Sequence, residues 1–356
     1  MKVYLLVSVS IISFSTLIAQ RQIQVNGFGH LGYENNFYPN DSTGQDDFGS
    51  FTLGEHDLFV TGKLSDKVSF LGEFVFKGSA SSPSGFLASI ERARIRYNYY
   101  KKHYLLVGKM HTSINYWNDV FHHGRIFFPT IDRPLNFSFF VPIHSLGIRL
   151  QGQDIGKYKF GYDFQVANGM ESTDISSSGF NFSYNASVHI KPKFGTRIMA
   201  GFNNDFLPTN THGPHAHSGS FHNHMYKGAV SLNQFHFSVA RFQTKFELLN
   251  EFAIIGSRTD SLGLSINYTN YIYAGYRIKE KYIPYVMLDA LITSDNELHT
   301  RRMNALKYSL GFRWEFSDKL NLKVQFERYG GLFEGFDNIP KLQEKYELKM
   351  QLSYAI

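Results

Sequence analysis

Apolar and polar residues alternate with a period of two along almost the whole chain. From Ala305 to Phe316 the apolar positions are Leu306, Tyr308, Leu310, Phe312, Trp314 and Phe316, and Lys307, Ser309, Arg313 and Glu315 fall between them. The last segment repeats this, setting Tyr346, Leu348, Met350, Leu352, Tyr354 and Ile356 against Glu347, Lys349, Gln351 and Ser353. Val68, Phe70, Phe74 and Phe76 oppose Ser69, Glu73 and Lys77 in the same way. Such a period gives each strand one greasy and one charged face, and a helical period is hard to find.

Two architectures satisfy that pattern. In a soluble sandwich the apolar face looks into a core, whereas in a membrane barrel it meets lipid and the polar face lines a lumen. The alternating segments run to about 10–14 residues, long for soluble strands and suited to a tilted bilayer crossing. Short polar turns at Ser65-Asp66-Lys67, Tyr100-Lys101-Lys102, Lys191-Pro192-Lys193, Lys279-Glu280-Lys281 and Ser317-Asp318-Lys319 alternate with longer connections near 35–48, 112–143, 167–178, 205–222, 257–263, 294–304 and 330–344. Short periplasmic turns and long extracellular loops are the outer-membrane barrel pattern. The fold class expected is all-β, a transmembrane antiparallel β-barrel.

The pattern predicts about sixteen strands, over 22–34, 49–64, 68–80, 87–100, 103–111, 144–153, 158–167, 178–190, 194–204, 224–241, 244–257, 263–278, 282–293, 304–317, 320–329 and 345–356. A turn at Leu232-Asn233-Gln234 would add a strand, but even parity, which keeps both termini on the periplasmic side, argues against it. Tyr33, Tyr97, Tyr99, Tyr268, Tyr276, Tyr346 and Tyr354 lie near strand ends, where an interfacial girdle needs them.

The N-terminus carries a different signal. Met1-Lys2, an apolar run to Leu17 and Ala19 read as a signal peptide over 1–19, leaving 20–356 as the barrel; the run is short for a membrane anchor. The mature part has no apolar run long enough for a transmembrane helix. Because the 356 residues include no cysteine, an exported chain of this kind must draw its stability from a large hydrogen-bonded framework such as a closed barrel.

Candidate chemistry centres on Ile90 to Tyr97, which puts Arg92, Arg94 and Arg96 on one face and Ala93, Ile95 and Tyr97 on the other. Guanidiniums on the lipid face would each cost about 2–4 kcal/mol at the midplane, so the arginines face the lumen. Lys109, Arg149, Arg277 and Arg313 extend the basic set. Either this ladder is free and offers weak sites to anions, or its members pair with carboxylates such as Glu73, Glu315 and Glu327 and brace the wall. In the connection 112–143, Trp117, Asn118, His122, His123, Arg125 and Arg133 are candidates for a constriction. Its Trp and Phe residues need a dry site, which favours infolding over a loop packed on the rim.

The run Val107-Gly108-Lys109-Met110-His111, then Trp117-Asn118, His122-His123-Gly124, Thr130-Ile131-Asp132-Arg133-Pro134 and Val141-Pro142-Ile143-His144-Ser145-Leu146-Gly147-Ile148, resembles porin-like outer-membrane barrels related to the phosphate-selective porin O and P group. The resemblance is concentrated in 104–152. It implies a sixteen-stranded channel narrowed by an infolded loop, often a homotrimer, with anion selectivity in the phosphate-binding members. It does not transfer phosphate as the solute.

A second cluster lies in the extracellular loop 205–224, where His212, His215, His217, His222 and His224 form a set able to bind Zn or Cu ions. The spacing matches no fixed zinc signature, and a polar loop that is merely His-rich is the other reading. Enzyme motifs are missing: there is no Walker loop, no His-Glu-x-x-His and no Gly-x-Ser-x-Gly, and His144 and Ser145 point to opposite faces of a strand. No cofactor is expected. The net charge of +6, or +5 once Lys2 is removed, is spread through the strands, which excludes a nucleic-acid patch.

The expected function is passive diffusion of small hydrophilic solutes, leaning towards anions, through an outer-membrane porin of a Gram-negative bacterium. Its expected surroundings are outer-membrane lipid and lipopolysaccharide. The alternative is a closed barrel acting through its loops as receptor, adhesin or metal-binding protein.

Overall fold

A computed structural model describes residues 23–39, 49–79, 85–121, 124–169, 182–207, 229–297, 303–334 and 340–356, apart from the side chains of Arg125, Ser138 and 333–343. The described residues form sixteen strands: β1 (Ile23–Phe37), β2 (Ser50–Lys63), β3 (Val68–Gly78), β4 (Phe86–Tyr100), β5 (His103–His111), β6 (His144–Ile155), β7 (Phe160–Asn168), β8 (Phe182–Ile190), β9 (Thr196–Leu207), β10 (Val230–Arg241), β11 (Phe246–Thr259), β12 (Gly263–Tyr276), β13 (Tyr282–Ile292), β14 (Met303–Ser317), β15 (Leu320–Glu334) and β16 (Pro340–Ala355). Each strand pairs with its neighbours in sequence, and β1 pairs antiparallel with β16 to close the barrel. At the seam Gly27 N–H donates to Ile356 O at 3.1 Å, and Ile356 N–H returns the bond to Gly27 O at 2.8 Å.

The two faces of the wall are inverted relative to a soluble protein. Phe235 and Leu310 expose 61% and 64% of their surface on the outside, while Ser238, Asn267, Gln325 and Ser353 are fully buried on the inside. Apolar residues outward and hydrogen-bonded polar residues inward are stable together only when the outer face meets lipid. No helix among the described residues is long and apolar enough to cross a membrane.

β10 runs without a break through Leu232-Asn233-Gln234, as strand parity requires. β15 and β16 extend beyond the predicted ends at 329 and 345, because Gly330 and Gly331, which look like loop residues in the sequence, continue the ladder with Leu306 and Ala305. At Gly331 a Cβ would lie 2.1 Å from Asn304 O, so glycine is needed for close approach of the two backbones. A bulge opposite Glu73 and Phe74 makes Glu91 an extra residue in β4, and Glu91 and Arg92 are both buried.

β5 and β6 are pinched where the connection 112–143 leaves and returns. Gly108 pairs with Gly147, Gly108 holds φ +128°, and a Cβ at Gly147 would lie 2.2 Å from Val166 O. Gly147→Ala should therefore destabilise the barrel by about 1–3 kcal/mol through overpacking against backbone. The measurement is the urea midpoint followed by fluorescence of the two tryptophans, and an unchanged midpoint would show that β7 yields.

Candidate functional site

The 32-residue range 112–143 folds into the barrel. It carries two short helices, α1 (Asn115–Val120) and α2 (Leu135–Phe139), with one 3-10 turn, Arg125–Phe127, between them. Its ends are tied together first. The Asn118 amide donates to Thr112 O at 2.9 Å and to Ile143 O at 3.0 Å, and Thr112 Oγ1 donates to Pro142 O at 2.6 Å. Just outside the loop, the rings of His111 and His144 meet edge to face at 4.4 Å, and His144 pairs with Glu91 at 3.1 Å.

A short helix buried in a lumen has N–H groups that neither the helix nor bulk water satisfies. α1 has no side-chain cap of its own, and the barrel wall provides the acceptors instead. Asn115 N–H donates to His236 Nδ1 at 3.2 Å, Tyr116 N–H to Ser238 Oγ at 3.2 Å and Trp117 N–H to Glu251 Oε1 at 2.7 Å. His236 and Ser238 are two apart on β10, and Glu251 is the register partner of Ser238 on β11, so all three acceptors face the lumen side by side. Asp289 of β13 does the same for Leu135 N–H of α2, at 2.7 Å.

Apolar packing completes the docking. Ile114, Trp117, Phe128, Phe137 and Val141 of the loop are buried against Leu249, Tyr271, Tyr273, Tyr285 and Met287 of β11 to β13. The Trp117 ring contacts Phe128 at 5.2 Å and Tyr271 at 5.5 Å, both edge to face. Further round, Asp132 meets Lys349 at 2.8 Å and Lys307 at 3.5 Å, and Asn321 Nδ2 donates to Ile126 O at 2.7 Å. Asp119 forms an ion pair with Arg197 of β9. Burial alone would raise the Asp119 carboxyl, but Arg197, Arg149 and His189 outweigh it and hold it down at about 2.

These contacts revise the sequence-based assignment of several residues. Trp117 and Asn118 are buried, the first in the docking interface and the second in the tie between the loop ends, so neither faces open lumen. Lys109 is buried too, its ammonium held by Ile90 O at 2.5 Å. Arg133 lies over the Phe128 ring at 5.6 Å. His122 and His123, the Arg125 side chain, and His212, His215, His217, His222 and His224 lie outside the described residues, as does the segment 1–19. Among the described residues no group of three or more potential metal ligands is present.

The arginine face of β4 divides into two states. Arg92 is ion-paired with Glu73 and stacks over Phe59 at 4.9 Å. Arg94 makes no hydrogen bond or ion pair among the described residues; its charged surroundings are Arg92, Arg149 and Arg96 as like charges and Asp119 of the loop as the opposite one. Arg96 has no carboxylate partner among the described residues and packs over Tyr104 at 3.5 Å, with a 3.5 Å contact to Gln153 Oε1. Arg94 and Arg96 line a niche of about 290 Å³ with Gln24, Thr61 and Ser69. Three other lumen arginines are paired: Arg277 and Arg313 share Glu247 and Glu315, and Arg149 meets Asp163 at 3.6 Å. Positive charge without a direct counter-ion thus stands on the wall away from the strands that hold the loop.

The fold has clear counterparts among solved structures. The chain matches the anion-selective porin from Comamonas acidovorans with a TM-score of 0.66 over 94% of this chain and all of that one, at 10% identity. The outer membrane channel DcaP of Acinetobacter baumannii matches with a TM-score of 0.63 over 95% and 98% of the two chains, at 12% identity. OmpT of Vibrio cholerae, an outer membrane protein in a trimer form, matches at 0.61 over 94% and 99%, at 11% identity. At these identities the likeness is one of fold: a sixteen-stranded barrel of the outer-membrane porin type. No family model matches the chain, and no curated protein matches it in sequence.

Removing the acceptor beneath α1 should release the loop. Glu251→Ala strands the Trp117 N–H and is expected to cost about 1–3 kcal/mol, seen as new protease cleavage within 112–121, whereas Glu251→Gln retains a carbonyl acceptor and stays resistant. The Asp119 bridge carries a pH signature. A carboxyl whose folded pKa is depressed to about 2 contributes stability that is complete above the unfolded value of about 3.9 and is lost as pH falls through 2. Protease resistance of the loop should be flat from pH 7 to 4, with Asp119→Asn already weakened at pH 7.

Proposed function

We propose that this chain is an outer-membrane porin that passes small hydrophilic solutes by passive diffusion, with a preference for anions. The observation that carries this reading is the pairing of an infolded loop with a cationic wall: 112–143 is fastened to the lumen side of β8 to β16, and Arg94 on β4 has no direct counter-charge among the described residues. A loop held this way narrows the lumen by size, and Arg94 with Arg96 filters what remains by sign.

In this reading the candidate residues take different parts. Arg94 and Arg96 line the pathway; Arg92, Lys109, Trp117, Asn118 and Arg133 hold the wall and the loop in shape. One structural counterpart is an anion-selective porin, which supports the sign of the filter, and another is an outer membrane channel, which supports conduction. A homotrimer is the proposed assembly, with OmpT of Vibrio cholerae as a trimeric counterpart of the same fold. Export by residues 1–19, outer-membrane lipid and lipopolysaccharide as surroundings, and catalysis playing no part complete the proposal. The resemblance of 104–152 to phosphate-selective porins makes phosphate one anion to include in the assay.

Single-channel recording in a planar bilayer under a salt gradient tests it. The wild-type barrel should show a steady open conductance with an anion-leaning reversal potential, and Arg94→Ala with Arg96→Ala should lower the anion-to-cation permeability ratio by about twofold or more. Arg92→Ala should leave that ratio nearly unchanged but cost about 3–5 kcal/mol by removing the cation ion-paired with the buried Glu73 carboxylate. A folded barrel without conductance would overturn the porin reading.

A further inference from the structure

Between the infolded loop and the short turns the barrel opens into a chamber of about 880 Å³. Its walls are unlike the rest of the polar lumen. Tyr116 of α1 stacks on Phe242 at 5.8 Å, and Phe121 meets Phe242 edge-on at 5.3 Å. Phe127, on the underside of the loop, exposes 55% of its surface, and Phe194, on the β8–β9 turn, exposes 79%. Aromatic rings gathered around one open space, two of them exposed and three half-buried, favour a ligand with a flat apolar body.

The charges lining this space differ with depth. Deep in the chamber, Arg197, Arg277 and Arg313 are engaged by Asp119, Glu247 and Glu315, so their charges are already compensated. At the mouth, the β6–β7 turn contributes Lys157 and Lys159 and the β8–β9 turn Lys191 and Lys193. Lys191 pairs with Asp154 at 3.0 Å and Lys157 lies 5.7 Å over Tyr158, but the side chains of Lys159 and Lys193 make no hydrogen bond or ion pair among the described residues. Lys159 also holds φ +48°, a left-handed conformation that glycine or asparagine would adopt at lower cost. Across the mouth, Asp318 on the β14–β15 turn disfavours an anion on that side.

We infer that this chamber is a binding site for aromatic monoanions, arene carboxylates or sulfonates, which enter ring-first from the periplasmic side and leave the acidic head on Lys159 and Lys193. The aromatic walls select the body, and Lys159 and Lys193, neither of them in a direct ion pair although Asp154 lies near Lys159, select the head. The space is ample for a two-ring arene. Simple aliphatic anions meet the lysines but gain nothing from the rings. This rests on the porin reading for access through the bilayer, and it adds a sided site for one class of solute.

The experiment is sided block of single-channel current by 2-naphthoate, with acetate as the control. The chain has no cysteine, so one introduced at Asp66→Cys on the β2–β3 turn and labelled with a membrane-impermeant maleimide fixes which chamber faces the short turns. Naphthoate should block from the turn side and not from the loop side, and acetate at equal concentration should not block. Lys159→Gln with Lys193→Gln should weaken the block about fivefold, measured relative to each variant's own open current, and Phe194→Ser should weaken it as well. Equal block from both sides, acetate as effective as naphthoate, or a block indifferent to the lysine pair would overturn the inference. If the barrel does not conduct, fluorescence titration of naphthoate onto the detergent-solubilised protein replaces the current. Binding weakened by the lysine variants then upholds the chamber while the porin reading falls, and absent binding overturns the chamber too.

Discussion

The constraint on which everything else depends is that a backbone in lipid has to satisfy its own hydrogen bonds. A sheet of sixteen strands leaves two open edges unless the first and last strands meet, and the pairing of β1 with β16, continued to Gly27 and Ile356, removes both. Closure also creates an interior, and the alternation that sends Leu310 and Phe235 outward sends Ser309 and Gln234 inward. The lumen is thus a by-product of edge removal. Its chemistry is set by whichever residues occupy the other phase of each strand.

That interior is divided into two halves. On β10 to β13 it offers acceptors and rings that match a loop: His236, Ser238, Glu251 and Asp289 for backbone N–H groups, and Tyr271, Tyr273, Tyr285 and Met287 for Trp117 and Phe128. On β4 it offers arginines. The same residue type plays opposite parts according to its neighbour: Arg92 is neutralised by Glu73 across the β3–β4 ladder, and Arg94, two positions on, lies across from Leu71 and stays open. A single carboxylate in register therefore decides which of the two cations is braced by the wall and which has no carboxylate opposite it.

The barrel was legible in the sequence because a period of two, sustained over long segments and punctuated by alternating short and long connections, has few physical solutions. The arginine face was legible for the same reason. The pairing of Arg92 alone was not, since it turns on the bulge that makes Glu91 an extra residue, and nothing local marks that bulge. The docking wall left a signal that was easy to pass over. In Tyr282 to Ile292 four of the five inward positions, Ile283, Tyr285, Met287 and Leu291, are apolar like the outward ones, the mark of a strand covered on both faces, and the fifth, Asp289, caps α2. Trp117 looked like a pore residue because the sequence shows what the loop carries but not which side of it meets the wall.

The acceptors that hold α1 lie 121 to 134 residues further along the chain, and the lysine that holds Asp132 lies 217 residues on. Contacts of such range form late, because the chain between them has to be ordered first. The loop can settle against these acceptors only once β10 and β11 are in place, so its seat is built by strands that follow it in the chain. The seating of Trp117 among aromatic rings provides an intrinsic fluorescent marker for the moment the loop docks.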